Sequence, residues 1–312
     1  MPEAKRGEMC LMRGFKAITA AITLLALSAG QAAATEIHAH RGAPIENGQA
    51  VVPENAMSGF HRVAQAGTAD YVEIDVKTTA DGVLVNHHDA TLDRTTNCTG
   101  PVKSVTFAYL EANCRLDVLG IVNGDTGAGQ VLPITNPTEK IPSLSEILDA
   151  AKSTGMKVNV EIKNVPTDAP HFDPDPAHYV TPIIDMIEAK DAWDLVLLQT
   201  FWPADLEYAQ EYAQSAYGET PRTHILTLSR QSGAPLAFTE LGLPGAVALG
   251  WSGLGPQWPP SANPAAYVAA AHTADLDVVP FTVDDLTTMQ QMKAIGVDGI
   301  ITNDVVAAQP VR

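Results

Sequence analysis

At 312 residues the chain is long enough for one large domain or two ordinary ones. Its formal charge is −17, from 19 Lys and Arg against 36 Asp and Glu. That excludes general attraction to nucleic acid or to an anionic membrane, since both need basic surface, so any phosphate it binds must find positive charge locally.

The first 34 residues are set apart from the rest. Lys5, Arg6, Arg13 and Lys16 form a basic leader, 17–27 is mostly apolar, and Ala32-Ala33-Ala34 supplies the small residues a signal peptidase needs. The apolar run falls short of the roughly 20 residues of a membrane span, which makes an uncleaved anchor the weaker reading. Residues 1–34 are therefore expected to be a signal peptide, and the protein periplasmic or secreted with no stable membrane anchor. Met12 offers an alternative start. Cys10 precedes the apolar run and does not suit lipid attachment. After processing only Cys98 and Cys114 remain. Neither has a CxxC or CxH neighbour, so a metal role is disfavoured. In an oxidising compartment they are expected to close one loop, worth about 3 kcal/mol in the chain-entropy model.

Strands are predicted at 36–40, 71–76, 83–87, 157–161, 195–199, 224–228, 246–250, 277–282 and 299–302. Helices are predicted at 56–67, 144–154, 177–189, 204–214, 262–274 and 285–295. Strands alternating with helices predict a parallel sheet. About eight strands with short connections favour an α/β fold of the (β/α)8 TIM-barrel type over 35–312. No GxGxxG follows the first strand, so a dinucleotide-binding sheet lacks support. Asp81-Gly82 predicts a hairpin between 71–76 and 83–87. Ser143 and Glu146 make a capping box. Residues 97–140 are the least regular and read as an insertion; 166–176 and 253–264 are proline-rich and read as loops.

Ionisable residues interrupt these apolar strands. Successive strand side chains alternate in direction, so Glu73 projects with Asp75, Glu161 with Lys163, and His38 with His40. Unpaired charges are not buried freely, and this set makes sense if it converges on a metal ion and an anionic substrate. Three carboxylates are a hard oxygen set, suited to one divalent cation, Mg²⁺ or Ca²⁺. Two histidines near their ordinary pKa can serve as base and acid in one turnover.

In chain order the pieces are His40-Arg41-Gly42, Pro53-Glu54-Asn55, Glu73-Ile74-Asp75, Asp81-Gly82, His88-Asp89 continuing to Arg94-Thr95-Thr96, then Glu161-Ile162-Lys163, Phe281-Thr282-Val283-Asp284 and Asp298-Gly299 continuing to Thr302-Asn303. This ordered set resembles the glycerophosphodiester phosphodiesterase family. The resemblance implies a TIM barrel with a small insertion, metal ligands at Glu73, Asp75 and Glu161, paired general acid and base at His40 and His88, and phosphate contacts from Arg41 and Lys163. It implies hydrolysis of small-molecule glycerophosphodiesters to glycerol 3-phosphate and an alcohol, with water or a neighbouring glycerol hydroxyl as nucleophile.

Other residues stay open between roles. Strict alternation cannot choose between His87 and His88; the His88-Asp89 context favours His88. His38 reads as structural or as supporting the site. Glu54 and Asn55 either reach the site or cap the helix from Ala56. Trp251 and Phe281 either line the pocket for the alcohol or pack in the core, and core packing is the favoured role for each. Two rival functions are a phospholipase D-like phosphodiesterase acting on lysophospholipids or sphingomyelin, with Ile121, Val122, Val131, Leu132 and Ile134 as an apolar rim, and a non-catalytic extracytoplasmic phosphodiester-binding protein. Oligomeric state has no signal in the sequence.

Overall fold

The computed structural model describes residues 34–121, 131–228 and 242–312. Residues 1–33 of the expected leader at 1–34, Val122 and the glycines within 124–129 lie outside the described residues.

Eight parallel strands form the frame: β1 (Glu36–Ala39), β2 (Tyr71–Thr78), β3 (Lys157–Ile162), β4 (Val196–Thr200), β5 (Arg222–Thr227), β6 (Gly253–Pro256), β7 (Asp277–Val278) and β8 (Gly299–Thr302). Their order in the sheet is β7-β6-β5-β4-β3-β2-β1-β8. The Val278 carbonyl accepts from the Asp298 amide and the Pro280 carbonyl from the Ile301 amide, bringing the two ends together. The result is a nearly closed (β/α)8 barrel, as the alternation of elements predicts.

The two faces of each strand do different work. Ile37, Ala39, Val72, Ile74, Val76, Val158, Val160, Ile162 and Leu198 point outward and are buried against the helices. Each Val, Leu or Ile among them contributes about 1.5–3 kcal/mol on leaving water. The helices present matching stripes: Phe60 and Val63 from Met57–Ala66, Leu144, Ile147, Leu148 and Ala151 from Leu144–Thr154, and Val180, Ile183, Ile184 and Ile187 from Pro176–Ala189. The Ser143 hydroxyl accepts from the Glu146 amide while the Glu146 carboxylate accepts from the Ser143 amide, the predicted capping box. The inner face is left for polar groups, and the site is built there.

The expected hairpin forms, with Leu84–Asn86 antiparallel to β2. Beyond it, the described part of 97–140 holds the helix Phe107–Asn113 and a two-stranded ribbon of Val118–Leu119 and Leu132–Pro133. Val85, Leu92, Val102, Leu110, Cys114 and Leu116 make a second small core, and Cys98 is bonded to Cys114. No helix among the described residues is long and apolar enough to cross a membrane.

One predicted strand is corrected. Residues 246–249 belong to the helix Gly242–Leu249, Gly250 follows its end, and the sixth barrel strand is Gly253–Pro256, inside a stretch read as a loop. A Cβ on Gly253 would lie 2.6 Å from His224 Nε2, and one on Gly255 2.5 Å from Leu226 Cδ2. Side chains of β5 already fill the space in front of β6, so the strand is made of residues that ordinarily signal turns.

Candidate active site

β2 and β3 supply the acidic centre. Asp75 stands beside Glu161 in register, and Glu73 lies one inward position deeper than Asp75. All three are buried, and one oxygen from each lies within 4.8 Å of the others, a spacing that can hold a metal ion. Asn55 Nδ2 donates to Asp75 Oδ2 at 2.7 Å, and Asn86 Oδ1 accepts from the Asp75 amide at 3.0 Å.

The chain after β1 turns sharply. Arg41 sits in the left-handed region at φ 49° and Gly42 at φ 79°. That turn directs His40 into the pocket and points the Arg41 amide at Glu73. The Arg41 guanidinium reaches Glu54 Oε1 at 3.0 Å and Asp75 Oδ2 at 3.4 Å. From the end of β3, Lys163 Nζ lies 2.7 Å from Glu161 Oε1 and 3.6 Å from Asp75 Oδ1.

The two imidazoles are oriented by different partners. His40 Nδ1 lies 2.7 Å from Asn303 Oδ1, and Asn303 Nδ2 donates to Asp284 Oδ2 at 2.8 Å. His88 Nδ1 lies 2.6 Å from the Asp89 carboxylate, which accepts from Arg94 Nε at 2.6 Å. Arg94 also donates to both oxygens of Glu54 at 2.8 Å. Glu54 thus ties the Arg41 turn to the His88 loop. One pocket is lined by His40, Arg41, Glu73, His88, Glu161 and Lys163, with a facing wall that includes Phe201, Leu226, Phe281 and Ile301.

Residues 40–307 match the glycerophosphoryl diester phosphodiesterase family. The chain belongs to that family. A 130-residue segment is 40% identical to a glycerophosphodiester phosphodiesterase of Caldanaerobacter subterraneus, covering 42% of this chain and 46% of that one. Over 270 residues it is 28% identical to one of Bacillus altitudinis, covering 86% of this chain and 94% of that one. Among solved structures, a Silicibacter pomeroyi protein assigned as a glycerophosphoryl diester phosphodiesterase superposes with TM-score 0.71 at 25% identity, over 89% of this chain and 93% of that one. An Oleispira antarctica phosphodiesterase, solved with sn-glycerol-3-phosphate, has the same fold at TM-score 0.65 and 22% identity, over 89% of this chain and 96% of that one.

All seven residues singled out from the sequence of this family member meet in the pocket or its acidic centre. The open cases are also decided. Asn55 does not cap the following helix, whose N-cap is Ala56 with no side-chain cap; it adopts φ 60° and reaches Asp75. His87 turns away, with Nε2 2.9 Å from the Thr91 carbonyl oxygen. His38 lies deeper in the barrel, its ring 4.3 Å from that of Tyr71. Trp251 packs in the core as expected, but Phe281 lines the pocket, its ring 5.5 Å from that of Phe201. The orienting groups Asn303, Asp284, Asp89 and Arg94 were given no role by sequence reasoning, and Gln199, 3.2 Å from Glu73, was missed. A glutamine at an inward strand position is the same kind of signal as the glutamates.

Burial dominates the electrostatics. It raises Glu73 well above the usual carboxylate range, helped by the charges of Asp75 and Glu161. Burial also raises Glu161, with the Asp75 charge adding to it against Lys163. Asp75 resists its burial because His88, Lys163, Arg41 and the Asn55 hydrogen bond hold it below the usual range. Burial and then the Arg41 charge lower His40 to about 4. Burial, Lys163 and Arg41 lower His88 to about 3. In the free site both rings are neutral at neutral pH.

Proposed function

We propose that the protein hydrolyses glycerophosphodiesters to glycerol 3-phosphate and an alcohol, with a divalent cation held by Glu73, Asp75 and Glu161 and with His40 and His88 moving the protons. The observation that carries this reading is the meeting, in one pocket of a chain of this family, of a carboxylate triad with two imidazoles and two cationic side chains. When bound, the cation supplies charge stabilisation at the phosphoryl oxygens and turns the pocket's excess of carboxylate charge over Arg41 and Lys163 into a net positive charge that suits a phosphodiester monoanion. Mg²⁺ and Ca²⁺ both suit the oxygen donors.

Arg41 and Lys163 pair with the non-bridging oxygens. His40 donates Nδ1–H to the Asn303 carboxamide oxygen, which leaves the Nε2 lone pair free to take the proton of the attacking oxygen. His88 faces a carboxylate through Nδ1, and such a partner favours a second proton on the ring. His88 Nε2–H then protonates the departing alcohol. Burial lowers His88 first and Lys163 and Arg41 lower it further; a phosphodiester monoanion paired with those two cations offsets their part of the effect. The attacking oxygen is that of water or of the neighbouring glycerol hydroxyl; both use the same two imidazoles.

The disulfide and the basic, apolar, small-residue leader support an extracytoplasmic location. Mass spectrometry of the secreted chain should show a new N-terminus near residue 35.

The deciding experiment is release of glycerol 3-phosphate from glycerophosphocholine in EDTA, Mg²⁺ and Ca²⁺, beside Glu161→Ala. Cation-dependent release lost in the variant is expected. Val131 and Leu132 stand exposed on the insertion, so micellar lysophosphatidylcholine is the second substrate; turnover of it alone would replace this reading with a lipid phosphodiesterase. Saturable binding without hydrolysis of either would replace it with a binding protein. For the histidines, His40→Ala should lose about 10²–10⁴-fold in kcat on every substrate. His88→Ala should lose as much on glycerophosphocholine but far less on a diester with a p-nitrophenol leaving group, which departs without a proton.

A further inference from the structure

Beneath the acidic centre the barrel is filled by a column of polar side chains. Glu73 Oε1 accepts from Gln199 Nε2 at 3.2 Å. Gln199 Oε1 accepts from Asn159 Nδ2 at 2.9 Å. Asn159 Nδ2 lies 3.2 Å from His38 Nδ1, and His38 Nε2 lies 3.6 Å from Glu36 Oε2 near the opposite end of the barrel. Glu73, Asn159 and His38 are fully buried and Gln199 is 2% exposed. The column crosses four neighbouring strands: His38 on β1, Glu73 on β2, Asn159 on β3 and Gln199 on β4.

The direction of these bonds is determined by the Asn159 amide. Its nitrogen carries two hydrogens, one for Gln199 Oε1 and one for His38 Nδ1. Gln199 therefore presents its own nitrogen, and not its oxygen, to Glu73. His38 accepts at Nδ1, so its proton is on Nε2, facing the Glu36 carboxylate. If Gln199 lost its hold on Asn159, its amide could turn over and set an oxygen lone pair against the Glu73 carboxylate. The other oxygen, Glu73 Oε2, is held by the Arg41 amide at 2.8 Å. With both oxygens fixed, the carboxylate plane has one orientation.

We infer that Gln199, itself aligned by Asn159 and His38, is a positioning residue that holds the Glu73 carboxylate in the orientation needed to share a cation with Asp75 and Glu161. This rests on the metal-site reading above. Partners behind a metal ligand typically govern 10–100-fold in affinity.

The test is direct titration of the full chain with Mg²⁺ and with Ca²⁺ by calorimetry, beside thermal melts. Gln199→Met keeps the length of the side chain and removes the donor. Asn159→Leu never reaches Glu73 but frees Gln199 to turn over. Both variants should bind the cation about 10–100-fold more weakly. Gln199→Met should recover most of its kcat at saturating cation, because the defect lies in holding the ion. Unchanged cation affinity in a folded Gln199→Met would overturn the proposal. Should that variant fail to melt cooperatively, unchanged affinity in Asn159→Leu overturns it equally. Failure of the unmodified chain to bind either cation sinks the metal reading beneath it, which the same titration separates from a failure of Gln199 alone.

Discussion

The Arg41 backbone amide donates to Glu73 Oε2 at 2.8 Å. The bond exists because Arg41 adopts φ 49°, which turns its amide toward β2 while His40, one residue earlier, enters the pocket. The turn that carries one imidazole is thus fastened to a carboxylate of the acidic centre. Displacing either should disturb both.

Gly59 lies behind this turn. A Cβ there would sit 2.7 Å from the Gly42 carbonyl oxygen, a backbone atom that cannot step aside without moving the turn. Within a helix, Gly→Ala ordinarily stabilises by up to about 1 kcal/mol. Gly59→Ala should reverse that sign and destabilise by about 1–3 kcal/mol through overpacking. It should also lower kcat, because His40 and the Glu73 bond shift together. Urea unfolding with steady-state kinetics checks this, and a stabilised, fully active variant would refute it.

The carboxylate triad predicts a thermal signature. Glu73 is driven up by burial and by the charges of Asp75 and Glu161, and that repulsion is relieved when a cation is held among them. A ligand at 100 times its Kd stabilises the folded state by about 2.7 kcal/mol. Mg²⁺ or Ca²⁺ should raise the Tm, EDTA should reverse the rise, and Glu161→Gln should abolish the response. A Tm indifferent to both cations would contradict the site.

Arg94 joins Asp89 to Glu54, bridging the His88 loop to the Arg41 turn. Hydrogen bonds to charged groups contribute about 1.5–3 kcal/mol each. Arg94→Met should lower kcat at least about tenfold, as 1.4 kcal/mol corresponds to a factor of ten. Made in a His88→Ala background, the same change should cost much less, because its main consequence is already gone. Equal losses in both backgrounds would place Arg94 outside the alignment of His88.

Strand alternation made Glu73, Asp75 and Glu161 legible: charged residues at every second position of an apolar run have few other uses. The barrel was legible from the same runs, since outward Val and Ile fix a strand whatever its inward face carries. The sixth strand was not, because Gly253 and Gly255 make room for His224 and Leu226, a requirement set by a neighbouring strand and invisible in local sequence. Asn55 reads equally as a helix cap or a site residue, and only its positive φ and its bond to Asp75 separate the two. Asn303 lies 263 residues from the histidine it orients, and no local periodicity spans that distance.

Asp205 gives a prediction about stability that is independent of the active site. It lies in the first turn of the helix Pro203–Tyr217, fully buried, and desolvation pushes its carboxyl up to about 8 from an ordinary 3.8. A raised carboxyl means that between those values the folded state holds a proton the unfolded chain has released. Its contribution to stability is therefore complete below about pH 4 and is lost progressively as pH rises toward 8, at about 1.4 kcal/mol per pH unit in the steepest part. Asp205→Asn keeps the shape and removes the titration. The stability of Asp205→Asn relative to the unmodified protein should therefore rise steadily from pH 5 to pH 8. Urea unfolding at several pH values in that window measures it, and all other titrating groups cancel between the two proteins. A difference that stays flat across the window would show that Asp205 ionises in the folded state as freely as it does in the unfolded chain.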